Sequence, residues 1–374
     1  MKRIIWVIVI VILVVAATAF VFKDRIVSLV FTPTETTIRE GTTSHWSDVE
    51  VAAKDLDVPW SVSVLPNSEL LVTERSGNVK RIGENGRAYT VDGVQETSEG
   101  GLLGIALHPD FATNNRLYLY MTTYTGGILT NQVDEYTLVD DTLTKVRTIV
   151  ERIPAASNHN GGGIAFGPDD KLYVTTGDAA MRDIAQSRAS LAGKILRMND
   201  DGSVPDDNPF GNLVWSYGHR NPQGIAWDDK GRLWSVEHGP SNEWKGRGKD
   251  ELNYIEKGAN YGWPVIAGDE TADGMRTPVA HSGENETWAP SGIAFINGSL
   301  YFAGLRGQTL YEAKINSTTD VTLSRHFSNE YGRLRAVTAY DNSLYFTTSN
   351  LDGRGEPRVN DDQILRTTYT NISN

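Results

Sequence analysis

The chain has 374 residues and no cysteine, which excludes disulfide scaffolds, thiolate zinc sites, iron–sulfur clusters and cysteine nucleophiles in one step. Any metal must be held by oxygen or by histidine. Positive charge is also in deficit. Lys and Arg number 35 against 47 Asp and Glu, a net charge of −12, and this argues against a general nucleic-acid binder, which would show phosphates a basic face. Beyond residue 45 no strong 3.6-residue apolar period appears, so a helical bundle is excluded; only Asp183 to Leu196 reads briefly as helical. EF-hand, HExxH, P-loop, GxSxG and GxGxxG patterns are missing, and with them the usual zinc, nucleotide and serine-hydrolase signatures.

One long apolar run is present, from Ile4 to Phe22, interrupted only by Thr18 and flanked by Lys2 and Arg3 before and Lys23 and Arg25 after. Such a helix nearly spans a hydrocarbon core of about 30 Å. Residues 1–25 therefore read as a membrane anchor or signal segment. The run exceeds the usual signal core, which favours an uncleaved anchor, although Ala17-Thr18-Ala19 resembles a cleavage site. The basic flank leans towards an N-in orientation, with the rest of the chain outside the cytoplasm, periplasmic or extracellular. Residues 26–45 form a Thr-rich linker, and residues 46–374 one large domain.

Glycine is plentiful, at 36 residues, and it marks a repeat. A small residue or Gly, a short β-prone run, a turn, then Leu followed by an aromatic or apolar alternation recurs six times. The copies begin at Ser61, Gly104, Gly163, Gly224, Gly292 and Ala336, and their second-strand leucines are Leu70, Leu117, Leu172, Leu233, Leu300 and Leu344. Each copy reads as a β-hairpin. Six such units closed in a circle make an all-β, six-bladed β-propeller, whereas two β-sandwiches would give no reason for six copies of one phrase.

In a propeller the residues just before each inner strand and just after each second strand emerge on the same rim. Those positions hold Trp60, Glu99, His159, Arg220 with Asn221, Trp288, and Arg333 with Arg335 on one side of the hairpins. On the other side they hold Glu74, Tyr124, Asp178, Glu237 to Pro240, Arg306, and Asn350 with Asp352. His159 and Asp178 flank one hairpin, so the carboxylate can fix the imidazole tautomer and leave the other ring nitrogen as a general base. Arg220, Arg306, Arg333 and Arg335 form a cationic set suited to a polyanion. The carboxylate- and Gly-rich stretch from Glu237 to Asp273 suits Ca²⁺, which takes six to eight oxygen ligands, and equally suits a solvated acidic loop.

At EGGLLGIALHPDF (99–111), NHNGGGIAFGPDDKLYVTTGD (158–178), GHRNPQGIAWDDKGRLWSVEHGP (218–240), DELNYIEKGANYGWP (250–264), WAPSGIAF (288–295) and GRLRAV (332–337), the chain resembles the soluble-type quinoprotein glucose/sorbosone dehydrogenase family. The resemblance runs from about Asp57 to the C-terminus. It implies a six-bladed propeller that oxidises aldose sugars to lactones with pyrroloquinoline quinone (PQQ) and Ca²⁺, passing electrons to an external acceptor. On the matching positions, His159 would be the catalytic base, Asp178 its supporting carboxylate, and Arg220 a further catalytic and PQQ-contacting group. Asn221, Arg306, Arg333 and Arg335 would also contact PQQ. Gly239 and Pro240 would offer carbonyls to one Ca²⁺. Glu251 and Tyr261, with an acidic ligand among Asp269, Glu270 and Asp273, would hold a second. Trp288 would flank the sugar. The family's Gln is replaced here by Glu99, whose charge opposes an anionic cofactor unless a cation neutralises it. A non-enzymatic propeller for a glycan or protein partner and a Ca²⁺-dependent lactonase are the rival readings, since fold alone does not choose among them.

Overall fold

A computed structural model describes residues 39–40, 46–84, 86–243 and 246–370. The expected membrane segment lies outside them, as does most of the expected linker. Among the described residues no helix is long and apolar enough to cross a membrane.

The six repeats become six antiparallel sheets. Their inner strands are Pro59–Val64, Leu102–Leu107, Ile164–Phe166, Pro222–Trp227, Pro290–Ile296 and Leu334–Tyr340. Each inner strand packs against those of its two neighbours, and the sixth packs on the first, so the ring closes. We number the blades in that order. The last blade is completed by the start of the domain, because Glu50–Ala53 pairs antiparallel with Ile364–Thr368. Trp46 secures the closure edge-on to Tyr301 and Tyr369, at 5.3 and 5.2 Å.

The small first residue of each repeat has a steric cause. A Cβ at Gly163 would lie 1.9 Å from the Gln223 carbonyl oxygen, and one at Gly224 would lie 2.4 Å from that of Ser291. At Gly104, Gly163, Gly224 and Gly292 the adjacent inner strand approaches too closely for any side chain, while Ser61 and Ala336 keep small ones. Threonines on the second strands fasten neighbouring blades. Thr73 Oγ1 donates to the Leu103 carbonyl at 2.5 Å, Thr175 Oγ1 to Gln223 at 3.3 Å, and Thr347 Oγ1 to Pro59 at 3.3 Å.

All six second-strand leucines are buried between blades. Replacing one such leucine by alanine typically costs about 2–5 kcal/mol. One β-branched residue per inner strand, Val62, Ile105, Ile164, Ile225, Ile293 and Val337, lines a central cavity of about 410 Å³. The helical reading of 183–196 is corrected: Arg182–Gln186 forms a short 3-10 turn, and Lys194–Met198 is the third strand of blade 3.

Candidate functional site

The shared rim predicted from hairpin geometry brings most of the named residues together at one mouth of the ring. His159 sits just before the inner strand of blade 3, and Asp178 follows its second strand. Nδ1 of His159 lies 2.7 Å from Oδ1 of Asp178, whose side chain is fully buried. Asp178 Oδ1 also accepts the Ala180 backbone N–H at 2.8 Å, and Oδ2 accepts the indole N–H of Trp263 at 2.8 Å. Nδ1 of His159 and two N–H donors thus converge on one carboxylate, which orients the ring so that Nε2 is the nitrogen turned away from Asp178. His159 adopts a left-handed backbone, φ 59°. The turn leaves no room for a side chain at Gly177, where a Cβ would lie 2.0 Å from the His159 carbonyl oxygen.

Arg220 lies in blade 4 directly before its inner strand. Its backbone N–H donates to Glu237 Oε2 at 3.0 Å, Nη1 reaches the His238 carbonyl at 3.4 Å, and its guanidinium lies 5.5 Å from the Trp263 ring centroid. Asn221 Oδ1 accepts the Gly161 N–H at 3.0 Å, while its buried Nδ2 has no hydrogen-bond partner among the described residues. His238 is neutral: burial drives its pKa down to about 3 against the pull of Glu99.

Across the mouth, blade 6 supplies Arg333 and Arg335. Arg333 Nη2 and Nε hold Asp352 at 2.7 and 3.1 Å, and Arg335 Nε donates to Ser349 Oγ at 3.1 Å. Burial lowers the Arg335 pKa to about 10, with Asp352 working in the opposite direction. Arg306 of blade 5 is half-buried, and burial together with Arg247 lowers its pKa. Glu99 accepts the His159 N–H at 3.1 Å and the Arg354 guanidinium at 2.8 Å. The repulsion expected of Glu99 is therefore met by Arg354, a residue that sequence reasoning missed.

Gly239 and Pro240, expected at one Ca²⁺, and Glu251 and Tyr261, expected at a second, share one cavity in the structure, and Asp269 stands apart. Gly239, Pro240, Glu251 and Tyr261 line one cavity of about 10 Å³, together with Glu237, Arg220 and Trp263, the size of a single water or ion. Glu237 and Glu251 are buried in its wall, and burial raises the pKa of both, with their mutual repulsion adding to the rise at Glu251. Asp269 does not join them. Its carboxylate is 94% exposed and pairs with His281 at 2.9 Å, because the chain turns outward after Gly268, whose N–H donates to Glu251 at 3.2 Å. No cluster of three or more His, Cys, Asp or Glu able to hold a metal occurs among the described residues. An ion there would draw its remaining ligands from backbone carbonyls, which suits calcium.

Trp288 is corrected as a sugar contact. Its indole has no exposure and packs against Phe302 and Tyr311, while its backbone N–H donates to Asp250 at 2.7 Å. Trp263 was missed, although it stands in the NYGWP stretch; an indole N–H bound for the protein interior demands an acceptor, and here that acceptor is Asp178.

The fold and this mouth define a propeller with a buried histidine–aspartate pair beside a set of fixed cations. Residues 56–365 match the family model described as Glucose / Sorbosone dehydrogenase. The chain is 32% identical over 344 residues to the aldose sugar dehydrogenase YliI of Escherichia coli K12, spanning 82% of this chain and 91% of that one. It is 33% identical over 259 residues to quinoprotein glucose dehydrogenase B of Acinetobacter calcoaceticus, spanning 59% and 53% respectively. The PQQ-bound structure of aldose sugar dehydrogenase from Streptomyces coelicolor superposes with a TM-score of 0.78 at 40% identity, covering 86% of this chain and 98% of that one. The chain belongs to the glucose/sorbosone dehydrogenase family.

Proposed function

We propose that residues 46–374 form a PQQ- and calcium-dependent aldose dehydrogenase that oxidises the sugar at C1 to the lactone. The N-terminal segment would tether it to the membrane with the propeller outside the cytoplasm, where it gives electrons to an external acceptor. The observation that carries the reading is the 2.7 Å His159–Asp178 pair inside a ring of arginines on an acidic protein. The donor set suits a polycarboxylate: Arg220, Arg306, Arg333 and Arg335 supply charge, and Asn221 Nδ2 is a buried donor with no partner among the described residues. Those residues would hold the cofactor. When bound, PQQ supplies a two-electron acceptor.

His159 Nε2 takes the proton of the C1 hydroxyl, and Asp178 stabilises the imidazolium that results, an effect typically worth about 10²–10⁴-fold. Arg220 places a fixed positive charge beside the reacting centre, where burial strengthens its field. Glu237, Glu251 and the carbonyls of Gly239, Pro240 and Tyr261 would hold Ca²⁺, whose charge relieves the two buried carboxyl groups.

The test uses the full-length chain purified without cofactor, PQQ added with and without Ca²⁺, and dye reduction followed with a panel of aldoses. Sugar-dependent reduction only with PQQ is expected. Absence of PQQ-dependent reduction with every aldose would sink the reading.

A further inference from the structure

The blade 6 loop from Asn350 to Gly355 does more than neutralise charge. Its Asp352 grips Arg333, and the same carboxylate accepts the Arg354 backbone N–H at 2.9 Å. Arg354 then reaches to Glu99 Oε1 at 2.8 Å, a contact between residues 255 apart in sequence. Glu99 uses its other oxygen to hold the His159 N–H at 3.1 Å. His159 needs such anchorage. A non-glycine residue in the left-handed region, φ 59° here, carries a backbone cost, so surrounding bonds must impose the conformation. Its ring is held by Asp178 and its carbonyl accepts the Ala179 N–H at 3.2 Å, both from its own blade. Glu99 contributes an anchor from blade 2.

We infer that Glu99 and Arg354 form a latch across the channel mouth in which Glu99 is a positioning residue for His159 and Arg354 cancels the charge that Glu99 would otherwise turn against an anionic cofactor. The inference rests on the dehydrogenase reading for its cofactor half only. A glutamine at this position would accept the His159 N–H as well, but it would lack the charge-assisted bond that fixes the carboxylate in place. Burial opposes the charge of Glu99, yet Arg354 and the His159 N–H outweigh it and hold its pKa at about 2. The carboxylate therefore stays ionised throughout the working range. Arg333, Arg335 and Arg354 against Asp352 and Glu99 leave this side of the mouth positive. Removing one partner of the latch changes that balance in opposite directions, and this makes the two roles separable.

The experiment compares the full-length chain with Glu99→Gln, Arg354→Ala, Arg354→Lys and the Glu99→Gln/Arg354→Ala double variant. In cofactor-free protein labelled with ¹⁵N-histidine, the His159 amide resonance is expected to move in Glu99→Gln and Arg354→Ala and to stay near its original position in Arg354→Lys. PQQ affinity, read by quenching of tryptophan fluorescence, should fall about tenfold or more in Arg354→Ala, as expected for an unpaired buried charge. It should recover in the double variant and not weaken in Glu99→Gln. At saturating PQQ, Glu99→Gln should lower kcat about tenfold with KM for the aldose changed by less than about twofold, the split of a group acting on the base and not on sugar binding. An unmoved His159 resonance in Glu99→Gln and Arg354→Ala alike, or additive effects on PQQ affinity in the double variant, would overturn the latch. If the resonances shift as expected but no protein binds PQQ, the latch stands and the dehydrogenase reading fails.

Discussion

On the blade 3 and 4 side of the mouth, His159, Asp178 and Arg220 are placed by short hairpin turns, backbone donors and one indole, with the partners of the central pair only 19 residues apart. On the blade 6 side, Arg333, Arg335 and Arg354 are placed by carboxylates, and Arg354 reaches a partner 255 residues away. The first side is local and directional, so it holds the His159 ring in one orientation. The second is long-range and ionic, which suits recognition of an anion but makes its geometry depend on the completed ring. Acid–base chemistry and anion binding should therefore be separable by mutation.

The largest expected effect is on the first side. His159→Ala should lower kcat by about 10²–10⁴-fold while PQQ still quenches tryptophan fluorescence with nearly unchanged affinity; retained turnover would assign the base elsewhere. On the second side, Asp352→Asn leaves two buried guanidiniums without their carboxylate. Breaking a buried pair in this way costs about 3–5 kcal/mol, to be read by urea unfolding, and PQQ binding should not weaken. A variant of unchanged stability would erase the contrast between the two sides. Trp263→Phe removes only the indole donor to Asp178. Loss of a hydrogen bond to a charged group is worth about 1.5–3 kcal/mol, expected here as lower kcat and a displaced pH–rate profile with the aldose KM retained.

The smallest effect concerns the carboxyl pair below Arg220. Folding raises the pKa of Glu237 to about 7 and that of Glu251 to about 8, so the native state binds more protons than the unfolded chain above the ordinary carboxyl range. Stability must then fall as pH rises from that range to about 8. In chelator, the thermal midpoint should drop over this window by about a few degrees, and added Ca²⁺ should flatten the dependence. A flat profile without Ca²⁺ would remove the carboxyl pair as a cation site.

The legible part of the protein was the part that repeats. Gly104, Gly163, Gly224 and Gly292 stand where the next blade's backbone leaves no room for a Cβ, and the six leucines fill equivalent inter-blade positions. A constraint imposed six times leaves a period that can be read without coordinates. The His159–Asp178 pairing was legible for the same reason, because both residues bracket one hairpin. Asp269 and Trp288 were misplaced because motif proximity does not reveal side-chain direction. One turns out to solvent at 94% exposure, and the other turns into the core of blade 5.

Composition, the six-fold phrase and the local hairpin geometry determined the propeller, the shared rim and the His159–Asp178 pair, since each depends on residues close in the chain or on a repeated steric rule. Only the tertiary structure decided that Arg354 answers Glu99, that Asp352 clamps Arg333, and that Trp263 supports Asp178. The first and last of those contacts join residues 255 and 85 positions apart, which only the closed and packed ring brings into register; the second joins residues 19 apart in one blade, where the direction of the two side chains and not their proximity was hidden.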